Sequence, residues 1–391
     1  MTEYIKTGLE KTCYGCRACE QVCPRRAILM QPNAEGFLYP ILNENKCIKC
    51  NKCADICPYE GMRERERTPI SSFAAQYNEA DALLESSSGG VFSALSDYVL
   101  EQGGYVSGCV FNESFLAVHT VTCDRQTVAK MRGSKYVQSD IGDCYRQIKT
   151  LLAQDKKVLF TGTPCQVDGL KRFLNKDYDG LFTVDLICHG VPSPLVLSKY
   201  LDTVRAKQGE ITELTFRNKK RNGWCAQGSI GYGGKVKTIS PFNSSYYNLF
   251  LQNSISRMSC YDCKYACTDR VGDITVGDFW GAENILTEIC AEKGVSALLV
   301  NTYKGQALLS EVRDRMVLCE VKLDVIVKNN GNLRVPSEMP KGRAEIFNRI
   351  EKDGYGAVAK TDCRYQYVRP LLRKLIPKKL KKTLKKLLKR S

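Results

Sequence analysis

Cys13-Tyr14-Gly15-Cys16-Arg17-Ala18-Cys19-Glu20-Gln21-Val22-Cys23-Pro24 is answered 34 residues later by Cys47-Ile48-Lys49-Cys50-Asn51-Lys52-Cys53-Ala54-Asp55-Ile56-Cys57-Pro58. The offset is the same for every cysteine, so the chain opens on an internal duplication. Three thiolates on so tight a loop can face three corners of one iron-sulfur cubane, and a C-x2-C-x2-C-x3-C-P run sends its fourth cysteine across to the other cluster. On that pattern Cys13, Cys16, Cys19 and Cys57 hold one 4Fe-4S cluster, and Cys47, Cys50, Cys53 and Cys23 hold the second. A zinc ribbon would need two CxxC pairs rather than two four-cysteine runs.

Residues 1–62 therefore resemble a bacterial two-cluster 4Fe-4S ferredoxin domain. The mixed-charge run Arg63-Glu64-Arg65-Glu66-Arg67-Thr68-Pro69 opens a linker assigned to residues 63–72. The whole chain of 391 residues is long enough for two to three domains. With 43% hydrophobic and 26% charged residues it has an ordinary globular composition. No apolar run approaches the ~18 residues of a membrane-spanning helix, and Met1 to Glu10 lack the apolar core of a secretory signal. The expected location is the cytoplasm. Twenty cysteines, about 5% of the chain, in a reducing compartment point to metal rather than disulfides. With only two histidines, His119 and His189, zinc and imidazole chemistry are poorly supplied.

The net charge of +16 is concentrated at one end. Residues 364–391 hold twelve Lys or Arg and no acidic residue, and without them 46 basic residues face 42 acidic ones. A near-neutral body argues against nucleic acid as a partner. Val368, Leu371, Leu372, Leu375 and Ile376, then Leu380, Leu384, Leu387 and Leu388 beyond Pro377, repeat at helical spacing. This tail is expected to be a basic amphipathic helix that docks on an anionic membrane surface, making the protein peripheral at the inner face.

A third cysteine group, Cys260-x2-Cys263-x3-Cys267, is one ligand short of a cubane site. Cys188 in Cys188-His189-Gly190 and Cys165 in Thr163-Pro164-Cys165-Gln166 both follow an apolar run and precede a helical pattern, where α/β proteins place their sites. Either completes a third 4Fe-4S cluster. Cys109, Cys123, Cys144, Cys225, Cys290, Cys319 and Cys363 lack ligand spacing and are expected to be buried apolar residues.

From Ile70 the pattern changes to strands alternating with helices. Ser86-Ser87-Ser88-Gly89-Gly90 precedes a helix over Val91–Leu100, expected to be capped by serine, and a strand over Tyr105–Phe111 follows. Strand-loop-helix units recur at Val158–Leu174, Leu181–Arg205 and Val295–Arg313. The fold class is α+β and α/β combined: a ferredoxin-like domain, then a larger mixed-sheet α/β domain over residues 73–363, then the tail.

Ser88-Gly89-Gly90-Val91, Arg132-Gly133-Ser134-Lys135-Tyr136-Val137-Gln138, Gly162-Thr163-Pro164-Cys165-Gln166, Cys188-His189-Gly190 and Gly272-Asp273-Ile274-Thr275-Val276-Gly277-Asp278-Phe279-Trp280-Gly281 occur in that order. They resemble the coenzyme F420 hydrogenase/dehydrogenase beta subunit family over residues 70–345. The resemblance implies a flavin, FAD, with a 4Fe-4S cluster in the same domain. Ser88, Gly89, Gly90, Gly133, Ser134, Lys135, Tyr136, Gln138, Gly162 and Thr163 are the expected cofactor contacts. Lys135 is the candidate cation beside the flavin and His189 a candidate proton donor, while Asp273 and Asp278 stand between a turn role and a site role.

Clusters carry single electrons and a flavin converts them to pairs. The leading expectation is an iron-sulfur flavoenzyme drawing electrons from ferredoxin or another low-potential donor to reduce an organic substrate, in membrane-associated polysaccharide synthesis. Its rivals are an electron-transfer beta subunit of a hydrogenase-like or formate-dehydrogenase-like complex, and a coenzyme F420:ferredoxin oxidoreductase acting on the deazaflavin. Whether copies of the chain form a homo-oligomer is left open.

Overall fold

The 34-residue repeat is written into the backbone as well as the sequence. Gly15 (φ 71°) and Arg17 (φ 61°) in the first cysteine run correspond to Lys49 (φ 53°) and Asn51 (φ 62°) in the second. Left-handed residues on either side of Cys16 and Cys50 curl both loops in the same way, at a cost that non-glycine residues accept only where the loop is otherwise fixed. A 3-10 turn precedes each run, Glu10–Thr12 and Glu44–Lys46, and a short helix follows, Ala18–Val22 and Lys52–Asp55. Between the repeats lies an antiparallel hairpin of β1 (Ile28–Pro32) and β2 (Leu38–Leu42), with Ile28 opposite Leu42 and Pro32 opposite Leu38.

The computed structural model describes residues 1–61, 68–286 and 289–362. Most of the linker run and the basic tail over 364–391 lie outside them, as does Cys363. The next strand, β3 (Ser71–Tyr77), begins at Ser71, so the last two residues assigned to the linker are already sheet.

The main sheet is then built from β4 (Tyr105–Phe111), β5 (Ala117–Thr122), β6 (Val158–Gly162) and β7 (Leu181–Leu186). A separate three-stranded antiparallel sheet follows, with β8 (Ile211–Thr215), β9 (Gly228–Tyr232) and β10 (Lys235–Ile239). The chain returns to the main sheet through β11 (Ile274–Asp278), β12 (Ser296–Val300) and β13 (Met316–Glu320). Eight strands stand in the order β13-β3-β12-β11-β7-β6-β4-β5. β11, β7, β6 and β4 run parallel, and the outer pairings are antiparallel. This is the expected mixed sheet.

Parallel strands need crossovers, and the helices supply them. Pro164–Leu174 links β6 to β7. Its start is a capping box in which Gln166 Oε1 accepts from Thr163 N at 3.0 Å, with Pro164 in the first turn where it costs no hydrogen bond. Ser193 caps the next helix, Pro194–Gln208. The helix at Val91–Glu101 differs from expectation: its N-cap is Gly90 at φ 80°, with no side-chain cap. Ser86 Oγ instead donates to Ala82 O, and Ser88 Oγ to Val295 O, because these serines close a short helix (Ala80–Glu85) and dock on β12.

The cysteine-rich N-terminal unit shares hydrophobic core with the rest of the chain. Tyr14, Cys16, Ala18 and Ile56 pack with Tyr145, Ile148, Val167 and Leu170 beneath β6. Phe37 and Tyr39 join Val196, Leu197 and Tyr246 in a second core. Gly36 is required at this seam, since a Cβ there would lie 2.2 Å from Leu195 Cβ. Glu35 receives Arg343 Nη1 at 2.7 Å and also its Nη2, tying the β1–β2 turn to the helix at Arg343–Lys352.

Candidate functional site: the thiol groups and the sheet edge

Two adjacent parallel strands deliver two of the candidate ligands. Cys165 follows β6 by three residues and Cys188 follows β7 by two, so both stand at the carboxyl ends of the central strands. Cys260 and Cys263 come from the 3-10 segment Met258–Asp262 and the residue after it. Together Cys165, Cys188, Cys260 and Cys263 line one small cavity of about 30 Å³ with Tyr14, His189 and Tyr265. Cys267 is not in that lining; its Sγ lies 3.4 Å from Asp269 O. The cavity thus draws on both loops that sequence spacing left as alternatives for one ligand.

Backbone amides are aimed at these sulfurs. Gly190 N donates to Cys188 Sγ and Val191 N to Cys260 Sγ, each at 3.4 Å. In the N-terminal unit Ala27 N donates to Cys23 Sγ at 3.2 Å and Lys49 N to Cys47 Sγ at 3.4 Å. Amide donors stabilise thiolate over thiol, so the donor set fits cluster ligation. Without a metal the opposing effect wins. Burial, reinforced by neighbouring cysteines, pushes Cys165 up to about 12 and Cys57 and Cys263 to about 11. Clusters bound by these cysteines would have to displace those protons.

In the N-terminal unit burial raises the Cys19 thiol, and Cys13, Cys16 and Cys57, and also Cys53 of the second run, act on it electrostatically in the same direction. The same relation joins this first thiol group to the cavity, because Cys16 also feels Cys165. A Cβ on Gly169, in the helix that Cys165 opens, would lie 3.1 Å from Cys16 Sγ. The rings of Tyr14 and Tyr265 meet edge to face at 5.4 Å in the same seam.

A buried ion pair holds the cysteine loop to the strand ends. Asp185, the fifth residue of β7, receives Arg270 Nη2 at 2.8 Å and the amides of Val271 and Gly272 at 3.1 and 2.7 Å. Arg270 then donates to Tyr265 O and Leu186 O. Asp273 is a pin of the same kind, accepting from the amide and hydroxyl of Thr183 and from Thr302 Oγ1.

Of the residues expected to contact a flavin, the Ser88–Gly90 turn and the Gly133–Ser134 loop meet at Ser87, whereas Gly162, Thr163 and Gln138 lie toward the thiol groups. Lys135 turns its ammonium back on the preceding helix, donating to the carbonyls of Lys130, Met131, Arg132 and Gly133 at 2.8–3.0 Å. Burial lowers it to about 8. Gly133 is left-handed (φ 79°), and the exposed Ser134 donates its amide to Ser87 Oγ. Gly89 N donates to Ser296 Oγ, and a Cβ there would meet Ala75 O at 2.0 Å, so this glycine serves close backbone approach. Gly162 and Thr163 belong to the capping box, and Gln138 faces the first thiol group, donating to Tyr14 O. His189 lines the thiol cavity, and burial lowers its pKa.

Tyr136 leads to residues the sequence did not single out. Its hydroxyl is 3.3 Å from Arg217 Nη1, and Arg217 pairs with Asp278 at 2.6 Å. Arg217 is buried with Nε and Nη2 unpartnered among the described residues. Lys219 donates to Ser88 O, and burial with Arg217 nearby holds it down to about 7. Trp224 and Trp280 stack at 5.3 Å alongside. Orphaned donors beside the Ser88–Gly90 turn fit an acceptor-rich ligand, and none has a motif signature.

Six cysteines outside the ligand runs were expected to be buried and are described. Cys144 is buried, and Cys109, Cys225 and Cys319 are half-buried. Cys123 and Cys290 are exposed, because they sit just past the end of β5 and at the N-cap of the Ala291–Lys293 turn.

Fold and cysteine spacing define a ferredoxin-type unit joined to a mixed α/β domain. Residues 12–61 match the 4Fe-4S dicluster domain, and residues 155–325 match the C terminus of the coenzyme F420 hydrogenase/dehydrogenase beta subunit. Both matches bear out the resemblance to the coenzyme F420 hydrogenase/dehydrogenase beta subunit family and to a two-cluster ferredoxin domain at the N terminus. The chain is 22% identical to the F subunit of the F(420)H(2) dehydrogenase of Methanosarcina mazei, over 87% of this chain and 93% of that one. It is 25% identical to the coenzyme F420-dependent sulfite reductase of Methanocaldococcus jannaschii over 51% of this chain, a match spanning only 31% of the reductase. A chain of the F420-reducing [NiFe] hydrogenase complex from Methanosarcina barkeri superposes with a TM-score of 0.46 at 17% identity, over 74% of this chain and 96% of that one. Among the described residues no helix is long and apolar enough to cross a membrane.

Proposed function

We propose that this protein is an electron-transfer subunit of an oxidoreductase of the coenzyme F420 hydrogenase or dehydrogenase type. Cys23, Cys47, Cys50 and Cys53 would hold the outer cluster, Cys13, Cys16, Cys19 and Cys57 the next, and Cys165, Cys188, Cys260 and Cys263 the third. When bound, the clusters supply one-electron transfer. The chain's part is to exclude water and fix the thiols: hydrophobic core closes over Cys16, and the Asp185–Arg270 pair holds the third set at the strand ends. The observation that carries this reading is the packing of Cys16 against the helix that holds Cys165, where a Cβ on Gly169 would lie 3.1 Å from Cys16 Sγ.

The relatives favour this over an organic-substrate reductase of polysaccharide synthesis, which has no counterpart in their names. A flavin belongs to the same proposal. The Ser88–Gly90 turn, Lys219 and the orphaned nitrogens of Arg217 are the residues that support it, and Lys135 is not among them because its donors are spent. Association of the tail with anionic membrane rests on its twelve basic residues and leucine stripe.

Anaerobically purified protein tests the reading. About twelve iron atoms and as many acid-labile sulfides per chain are expected for three cubanes. Bound flavin should appear in the released cofactor, and reduced coenzyme F420 should reduce the clusters. Eight iron atoms would leave only the N-terminal pair. Absence of any reduction by the deazaflavin, in full-iron protein with its copurifying partners, would overturn the F420 assignment.

A further inference from the structure

Four arginines are buried among the described residues: Arg217, Arg257, Arg270 and Arg343. Three of them are neutralised by a carboxylate: Arg217 by Asp278, Arg270 by Asp185 and Arg343 by Glu35. Arg257 is the most deeply buried, fully enclosed, and no carboxylate pairs with it among the described residues. Its Nε donates to Cys13 O at 2.8 Å, Nη1 to Gln138 Oε1 at 3.0 Å and Nη2 to Leu38 O at 3.0 Å. Nη2 also lies 3.5 Å from Cys13 Sγ. The guanidinium sits over the Tyr39 ring at 4.0 Å, and a Cβ on Gly15 would lie 2.8 Å from Nη1.

A guanidinium cannot shed its proton in a protein, and an unpaired buried charge costs several kcal/mol. Neutral carbonyls and rings soften that cost but do not remove the charge. An anion is required, and the candidates are sulfurs: Cys13 Sγ at 3.5 Å from Nη2, and that of Cys260, whose amide donates to Arg257 O. Cys13 belongs to the first thiol group, and Cys260, three residues after Arg257, belongs to the third; both act on this guanidinium electrostatically. Arg257 N and O are themselves fixed, to Val191 O and Cys260 N.

We propose that Arg257 is a positioning residue whose fixed positive charge is shared by the first and third clusters, and that it raises the reduction potential of both while leaving the outer cluster alone. A reduced cluster carries one more negative charge than an oxidised one, so a buried cation beside it favours reduction. Its hydrogen bonds to Cys13 O and Leu38 O also close the ferredoxin unit onto the α/β domain. The inference rests on the cluster assignment proposed above.

The test is a spectroscopic redox titration of full-length protein with cluster-resolved midpoints, the outer cluster being identified by the signal that Cys50→Ser alters. In Arg257→Met the reduced-to-oxidised ratio of the first and third clusters at a fixed potential should fall about tenfold, a shift of about 59 mV for one electron. The outer cluster should not move. Arg257→Lys, which keeps the charge, should stay within about twofold of wild type. Gln138→Glu, which supplies a carboxylate to the guanidinium, should shift the same two clusters in the same direction, and it carries the test if Arg257→Met loses iron. Unmoved midpoints in either charge-neutralising variant at full iron, or equal shifts in the Lys and Met variants, overturn the role of Arg257. A wild-type iron count of eight or fewer overturns the cluster assignment itself, so the two failures are distinguishable.

Discussion

Cys165 and Cys267 each interact electrostatically with Cys263, yet of the two only Cys165 lines the cavity. Removing a ligand costs a cluster, whereas removing a neighbour does not. Cys165→Ala should therefore drop iron from about twelve to about eight per chain, and Cys267→Ala should leave it unchanged; the reverse result would move the ligand set onto Cys267. His119 allows a pH prediction at the same scale. Its Nε2 lies 3.0 Å from Thr161 O, and burial lowers it to about 4 from an ordinary 6.5. A base depressed in the fold contributes stability that is present above the unfolded value and lost as pH falls from about 6.5 toward 4. At pH 5 the loss is about 2 kcal/mol. His119→Gln should flatten that part of the urea-stability profile between pH 7 and pH 5, and an unchanged slope would show that this imidazole protonates freely in the fold.

At the scale of elements, β7 and the cysteine loop are held by the Asp185–Arg270 pair, both side chains essentially inaccessible. Breaking one partner leaves a charge buried without compensation. Asp185→Asn should cost about 3–5 kcal/mol by urea unfolding, while exposed pairs such as Arg205–Asp202 should cost under about 1 kcal/mol. Gly89→Ala belongs here too. The added methyl would collide with the β3 backbone at Ala75, so the turn before the Val91–Glu101 helix must part from β3 and β12. A fall in thermal midpoint is expected, with Gly356→Ala as a comparison at a position where a Cβ meets nothing within 4 Å and the backbone is not left-handed.

Across the whole molecule, the ferredoxin unit is docked by hydrophobic core and by a few ionic contacts, of which Glu35–Arg343 is the most enclosed. Glu35→Gln leaves a buried guanidinium short of its partner and should loosen the seam by about 2–5 kcal/mol. Amide exchange in β1 and β2 should accelerate, with β6 and β7 unaffected. Acceleration throughout the sheet would mean that the two parts open as one cooperative body. The tail makes a separate prediction from charge alone: full-length protein should pellet with anionic vesicles, and a chain ending at Asp362 should not, with the difference vanishing at high salt.

The cysteine runs carry their own chemistry because a cubane fixes ligand spacing within a single loop, which is why the first thiol group and the duplicated backbone were both readable from residues 13–57. The alternation of strands and helices from Ser71 onward was readable for a similar reason, since each unit is local in sequence. What the chain's order cannot express is which distant residues meet. Lys135 looks like a free cation in a glycine-flanked motif, and only the fold shows its ammonium spent on four carbonyls. Arg217 and Arg257 lie in stretches without a motif, and their importance comes from being buried among partners up to 244 residues away. Cys165 and Cys188 come together for the same physical reason: strand order places β6 beside β7, so their loops open into one cavity with Cys260 and Cys263. Sequence determined the ferredoxin-type cysteine spacing and the fold class; the packing of one unit against the other decided where charge is buried and which cysteines line one cavity.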